Sequence, residues 1–282
     1  MTWARTGIGS LACLFLLAGR AAAQTDLATE RADYLRWLTT SPTSPLAALA
    51  QQPIGSGLRL GPADAELPLE GTPEYRVESR PGGVRLTGPS GARIMRRGVP
   101  VPVGRYTLTA DGQRGREVLT VFGPTRSDKR PSYYPPSPMQ VFVGPLIPPD
   151  RHGTTRVLGL DGIEVEAAEA GSVLVPLDGR PARLLVRRLP LAGGEESELE
   201  IFFRDETNGR GTYPAGRFVA LVPAGPGRYR LDFNRARNPF CAYSSAYPCP
   251  APWRGNALPV SITAGERYEG GGLAAPAEGA QR

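Results

Sequence analysis

Arg105-Tyr106-Thr107-Leu108-Thr109 alternates polar and apolar residues with a period of two, the mark of a strand with one buried face. Short apolar or alternating runs repeat on both sides of it, divided by glycine and proline. In the first half they predict strands at 57–60, 75–79, 84–87, 93–96, 105–110 and 116–122. The second half resumes at 140–143, 155–159, 163–166, 173–177, 182–187, 199–204, 217–222, 229–233 and 259–263. Asp161-Gly162, Asp178-Gly179 and Asn208-Gly209 are tight-turn signals, and consecutive hairpins imply antiparallel pairing. With 35 glycines and 30 prolines, the chain does not suit a mostly helical fold. One helix is expected at 26–38, where Leu27, Tyr34, Leu35 and Leu38 share a face and Ser41-Pro42 ends it, followed by a helical turn at 45–50. The fold class is mainly β: an antiparallel two-domain β-sandwich or barrel with a short N-terminal helix.

The same texture divides the chain. Residues 1–23 read as a secretory signal peptide, with Arg5 as the positive end, an apolar run at 11–18 and Ala21-Ala22-Ala23 as a small-residue cleavage motif. That run is far short of the ~20 residues a spanning helix needs, so no transmembrane segment is expected after cleavage. Leu11-Ala12-Cys13 is a partial lipobox, but the apolar run continues past the cysteine. A helical segment at 24–52 then leads to a β-sandwich at 53–123. Five prolines at 124–138 mark a connector, 139–268 forms the C-terminal β domain, and the Gly-rich 269–282 reads as a disordered tail.

The net charge of +6 excludes little by itself, and loss of Arg5 and Arg20 with the signal lowers it to +4. Lys129 is the only lysine, and the arginines are scattered. A nucleic-acid surface needs a concentrated basic patch, so no nucleic-acid partner is expected. Export leaves Cys241 and Cys249, the simplest arithmetic for one disulfide across a short loop. Two cysteines and a single, distant His152 do not complete a metal set, and no phosphate loop or dinucleotide fingerprint is present. Neither metal nor cofactor is therefore expected. His152 also lacks a serine elbow, which argues against a catalytic triad.

Two resemblances add to this reading. Phe202-Phe203-Arg204-Asp205-Glu206-Thr207-Asn208-Gly209, Thr212-Tyr213, Gly216-Arg217-Phe218, the run from Asp232 to Cys241, Asn256-Ala257-Leu258-Pro259 and Ala264-Gly265-Glu266 resemble the C-terminal signature of the family called domain of unknown function 1684. The resemblance implies a family but no reaction. Pro53-Ile54-Gly55-Ser56-Gly57, Ala65-Glu66-Leu67-Pro68-Leu69, Gly82-Gly83-Val84-Arg85-Leu86 and Gly98-Val99-Pro100-Val101 look like the strand-and-turn rhythm of forkhead-associated domains. Such domains hold phosphothreonine with a loop Arg and a Ser-x-x-His; here Ser56 follows Ile54-Gly55, and this half has no histidine.

The candidate ligand-binding residues are Asp205, Arg217, Asp232, Asn234, Asn256 and Glu266. Carboxylates and carboxamides gathered with one arginine suit a polar ligand pocket or an oxygen-lined cation site. The competing reading is turn capping and a structural Asp232–Arg217 pair. Asp232 and Asn234 flank Phe233 and are expected to share one strand face. The expected function is an exported cell-envelope module binding a small molecule or an envelope component, without recognisable catalytic machinery. The alternative is a carboxylate-dependent hydrolase of an envelope glycan or ester, using Asp232 with Glu266, or Asp205 with Glu266. A scaffold role for Tyr133, Tyr134, Tyr243, Tyr247 and Trp253 is a third reading, with loop packing as the plainer account.

Overall fold

In the computed structural model, residues 26–177, 180–190 and 197–269 are described. The expected signal peptide, the Asp178-Gly179 turn and the tail beyond 269 lie outside them. The chain is mainly β, with one α-helix at Leu27–Thr40. Asp26 starts that helix, its carboxylate accepting from the backbone N–H of Ala28 and Thr29.

Two sheets share the first hydrophobic core. Strands Ala48–Pro53, Val118–Phe122, Tyr106–Asp111 and Val101–Val103 lie in that order, all antiparallel. The other sheet runs Leu67–Pro68, Leu58–Gly61, Tyr75–Arg80, Gly83–Gly88, Gly91–Met95, with its first pair parallel. Tyr106, Leu108 and Ala110 are buried while the residues between them are not, as their alternation requires. They pack in one cluster with Leu60, Val77, Val84, Leu86 and Met95 from the other sheet. This is a sandwich, and no closed barrel forms among the described residues.

Strand Ala48–Pro53 corrects the sequence reading, which placed a helical turn over 45–50 and began the sandwich at 53. The helical turn is a single 3₁₀ turn at Pro45–Ala47, capped by the Ser44 hydroxyl, after which the chain pairs with Val118–Phe122. Alanine and glutamine carry little strand propensity, so tertiary pairing decides the segment.

The second half is a seven-stranded antiparallel sheet in the order Val141–Pro145, Arg228–Asp232, Arg217–Pro223, Ser197–Phe203, Arg180–Pro190, Glu164–Leu177, Thr154–Leu158. The runs expected at 163–166 and 173–177 are one strand, bulged between Glu169 and Gly171. Phe202 stacks on Phe218 at 4.3 Å, and Trp253 meets both edge-on. No strand forms at 259–263; Glu266–Arg267 pairs instead with Ser132–Tyr133 of the Pro-rich connector.

The helix precedes the sandwich in sequence but packs on the second half. Tyr34, Trp37 and Leu38 join Tyr213, Cys241, Tyr243 and Tyr247 in one cluster, and the Arg31 guanidinium donates to the Asn234 carbonyl at 3.0 Å. The two β units meet directly: Gln51 donates to the Asp161 carbonyl at 3.1 Å, and Arg116 pairs with Glu164 at 2.8 Å.

Candidate functional site

All six candidate residues bond backbone groups. Arg217 and Asp205 form an ion pair at 2.8 Å with both side chains fully buried. Arg217 also donates to the carbonyls of Ile262 and Ala264. Asp205 accepts from the Thr207 amide and hydroxyl and from the Ile262 amide. The pair ties the entry to strand Arg217–Pro223 to the otherwise irregular segment at 259–265. The Asp232–Arg217 pairing read from the sequence is replaced by Asp205–Arg217.

Asn256 acts as a substitute peptide group. Strands Arg180–Pro190 and Ser197–Phe203 pair only from Arg187 and Glu200 outward. Where they separate, the Asn256 side chain accepts from the Leu185 amide at 2.7 Å and donates to the carbonyls of Leu185 and Phe202, each at 3.0 Å. Asn234 does the same for the connector, exchanging bonds with the Ser137 amide and carbonyl at 2.8 and 2.9 Å. Asp232 and Asn234 do not share a strand face. The strand ends at Asp232, whose carboxylate caps a 3₁₀ turn at Phe233–Arg235 and pairs with Arg230 and Arg235.

Glu266 differs from the rest. Gly265 precedes it at φ +75°, where a Cβ would lie 2.6 Å from the Phe233 carbonyl oxygen, so glycine is required to turn the chain inward. The Glu266 carboxylate accepts from the Asn238 amide at 2.9 Å and from the Tyr243 hydroxyl. Burial raises its pKa to about 7, against the opposing hydrogen bonds and the charge of Arg237. Tyr34, Tyr133 and Tyr243 feel its charge, and their hydroxyls are pushed above the ordinary tyrosine range by burial first and by that charge second.

Glu266, Tyr243 and Asn238 line a cavity of about 300 Å³ that is also bounded by Lys129, Arg130 and Arg267. Asn238 is buried, and its side-chain oxygen has no partner. Asp232 lines a different cavity, with Glu30, Arg230, Arg235 and Arg237. Asp205 is closed by Arg217 and three donors. Neither carboxylate pair expected for the hydrolase therefore meets at one cavity. Among the described residues no group of three or more His, Cys, Asp or Glu is placed to hold a metal ion.

The disulfide expectation is corrected as well. Cys241 and Cys249 are free, with their side chains within hydrogen-bonding reach of one another. The Tyr213 hydroxyl lies 3.2 Å from Cys249 Sγ. Each sulfur thus has a hydrogen-bond partner without a covalent bond between them.

Two carboxyls escaped the sequence reading. Glu200, buried, and Asp161, partly buried, lie where the two β units meet, around a cavity of about 310 Å³ that Asp111 and Glu198 also line. Burial raises the Asp161 pKa to about 6. Glu200 is raised further, by burial and then by the neighbouring Glu198. The available signal was a carboxylate inside Leu199-Glu200-Ile201-Phe202-Phe203, where a solvated strand edge would not place five such residues.

The family model described as "Protein of unknown function (DUF1684)" matches residues 129–267. The chain is similar to an uncharacterised protein of Haloarcula marismortui whose solution structure was solved by NMR: 31% identity over 50% of this chain and 77% of that one, at a TM-score of 0.43. No curated protein matches the chain.

Proposed function

The chain belongs to the DUF1684 family, and from that premise we propose that it is an exported ligand-binding module of the cell envelope whose site is the Glu266 cavity. The observation carrying this reading is the division of that cavity. Lys129, Arg130 and Arg267 bound it with positive charge, whereas Glu266 and the unpartnered Asn238 oxygen offer acceptors. A small anion that also donates a hydrogen bond, such as a hydroxycarboxylate or an amino acid, complements both parts. Export is supported by the charge and apolar pattern of residues 1–23. N-terminal sequencing of protein recovered from the envelope should begin at Gln24, and an intact Met1 would refute export with cleavage.

Binding is tested by titrating the full chain with gluconate, L-serine, acetate and glucose while following thermal unfolding. At ~100-fold over Kd, mass action adds about 2.7 kcal/mol, or roughly 5–10 °C for a protein of this size. Gluconate or serine should give that shift, and Arg267→Ala should remove it while the unliganded melting temperature stays unchanged. Equal shifts with glucose, or a gluconate shift retained in both Arg267→Ala and Glu266→Gln, would place the ligand elsewhere.

A further inference from the structure

We infer that Cys241 and Cys249 form a thiol–disulfide exchange site, with Cys249 the attacking thiol and Cys241 the resolving one, acting on small disulfides of the glutathione class. The inference stands apart from the ligand reading.

The geometry is asymmetric. Cys241 lies in the 3₁₀ turn Phe240–Ala242 and is 1% exposed, whereas Cys249, held between Pro248 and Pro250, is only partly buried. A disulfide in solution reaches Cys249 and not Cys241. Cys249 Sγ has two neighbours able to donate to it, the Cys241 thiol and the Tyr213 hydroxyl. These hydrogen bonds, led by that from Cys241, lower its pKa to about 6 against the opposing effect of burial. Cys241 moves the opposite way, because its protonated thiol is the form that bonds to the Cys249 sulfur and because it is buried. The titratable groups that face the pair are Tyr213 and Tyr268. The thiolate is the nucleophile in exchange, so reaction begins at the accessible, more acidic sulfur.

In the first step the Cys249 thiolate attacks one sulfur of R–S–S–R. A Cys249–S–R bond forms, and the other half leaves as a thiolate that takes the proton Cys249 had released. Cys241 then loses its proton and attacks Cys249 Sγ, forming the Cys241–Cys249 bond and expelling the second R–S⁻, which takes that proton. Two protein thiols are oxidised by two electrons, and one small disulfide is reduced to two thiols. The second attack is intramolecular, so burial of Cys241 does not impede it. Stabilising the Cys249 thiolate also favours the reduced pair and makes Cys249 the better leaving group, so the bond reopens with excess reduced glutathione.

The test uses the full chain with Cys13 replaced by serine in every sample, the wild type of the comparison included, so that Cys241 and Cys249 are the two thiols present; it is reduced and then mixed with glutathione disulfide, with products followed by mass spectrometry. Wild type should lose two hydrogens and retain no glutathione, and excess reduced glutathione should restore it. Cys241→Ser should stall with one glutathione on Cys249, and Cys249→Ser should react at least tenfold more slowly than wild type. Iodoacetamide mapping of the wild type at pH 7 should label Cys249 first, which decides the order of attack even if Cys241→Ser fails to fold. Tyr213→Phe should shift the pH midpoint of Cys249 alkylation upward without changing the rate at high pH, an effect that loss of packing alone does not produce. Equal reactivity of Cys249→Ser and wild type, labelling of Cys241 first, or a bond that resists excess reduced glutathione would each overturn the inference.

Discussion

Replacing Arg217 by methionine keeps a long apolar stem and removes the guanidinium from a site where both it and Asp205 have zero side-chain exposure. The change abolishes the ion pair to Asp205 and the bonds to the Ile262 and Ala264 carbonyls. Hydrogen bonds to charged groups are worth about 1.5–3 kcal/mol each, but three bonds from one group are not independent. The relevant reference is the loss of one partner from a buried pair, about 3–5 kcal/mol, because Asp205 keeps its charge without its counter-ion. We expect a loss of about 4 kcal/mol, a large part of an ordinary domain's total stability. Urea unfolding monitored by tryptophan fluorescence is a suitable assay, since Trp253 packs against Phe202 and Phe218 in this unit. Asp205→Asn leaves an acceptor for Thr207 and Ile262, so the double variant should be at least ~2 kcal/mol less destabilised than the sum of the single changes. A loss below about 1 kcal/mol in Arg217→Met, or strict additivity, would refute the view that these residues are structural.

Two further outcomes follow from buried groups. The folded pKa of Glu266, about 7, lies above its ordinary 4.5, so folding favours the neutral acid: nothing is lost below pH 4.5, and stability falls as pH rises toward 7. The fall is on the order of 3 kcal/mol; urea midpoints should be higher at pH 5 than at pH 8, and Glu266→Gln should shrink the difference while Asp161 and Glu200 sustain the remainder in the same direction. Asn256→Ala strips partners from the Leu185 amide and from the carbonyls of Leu185 and Phe202, and should cost about 3 kcal/mol by urea unfolding; a loss under 0.5 kcal/mol would mean that water replaces the amide.

The strands were legible where side chains alternate across one buried face. Tyr106, Leu108 and Ala110 announce their register, and the observed strand Tyr106–Asp111 differs from expectation only at its ends. Ala48–Pro53 was not legible, because its place depends on Val118–Phe122, some 70 residues away. The segment at 259–263 failed in the opposite sense. Pro259-Val260-Ser261-Ile262-Thr263 has strand-like residues, yet its polar backbone is satisfied partly by Arg217 and Asp205, leaving no need for a ladder. Glu200 shows the limit of patterning: the apolar run at 199–203 signals a buried strand, but the other carboxyls that Glu200 meets depend on how two β units come together, which no local window contains.

The signature residues were read as a possible site because carboxylates, carboxamides and arginine are the residues from which sites are made. They are also the residues that replace missing backbone partners. Asn256 and Asn234 each carry one donor group and one acceptor in the arrangement of a peptide, and they occur where two segments lie too far apart to bond directly. Asp205 with Arg217 serves the same end for a segment without a strand. The family signature therefore specifies a fold through its polar positions, and the proposed binding and exchange rest on other signature groups: the Glu266 carboxyl, the Asn238 oxygen and the Cys241 thiol. Their neighbours Lys129, Arg130 and Cys249 stand apart from the polar knots. On the proposed readings, variation there changes ligand binding or thiol exchange while leaving the knots of Asp205, Arg217, Asn234 and Asn256 intact.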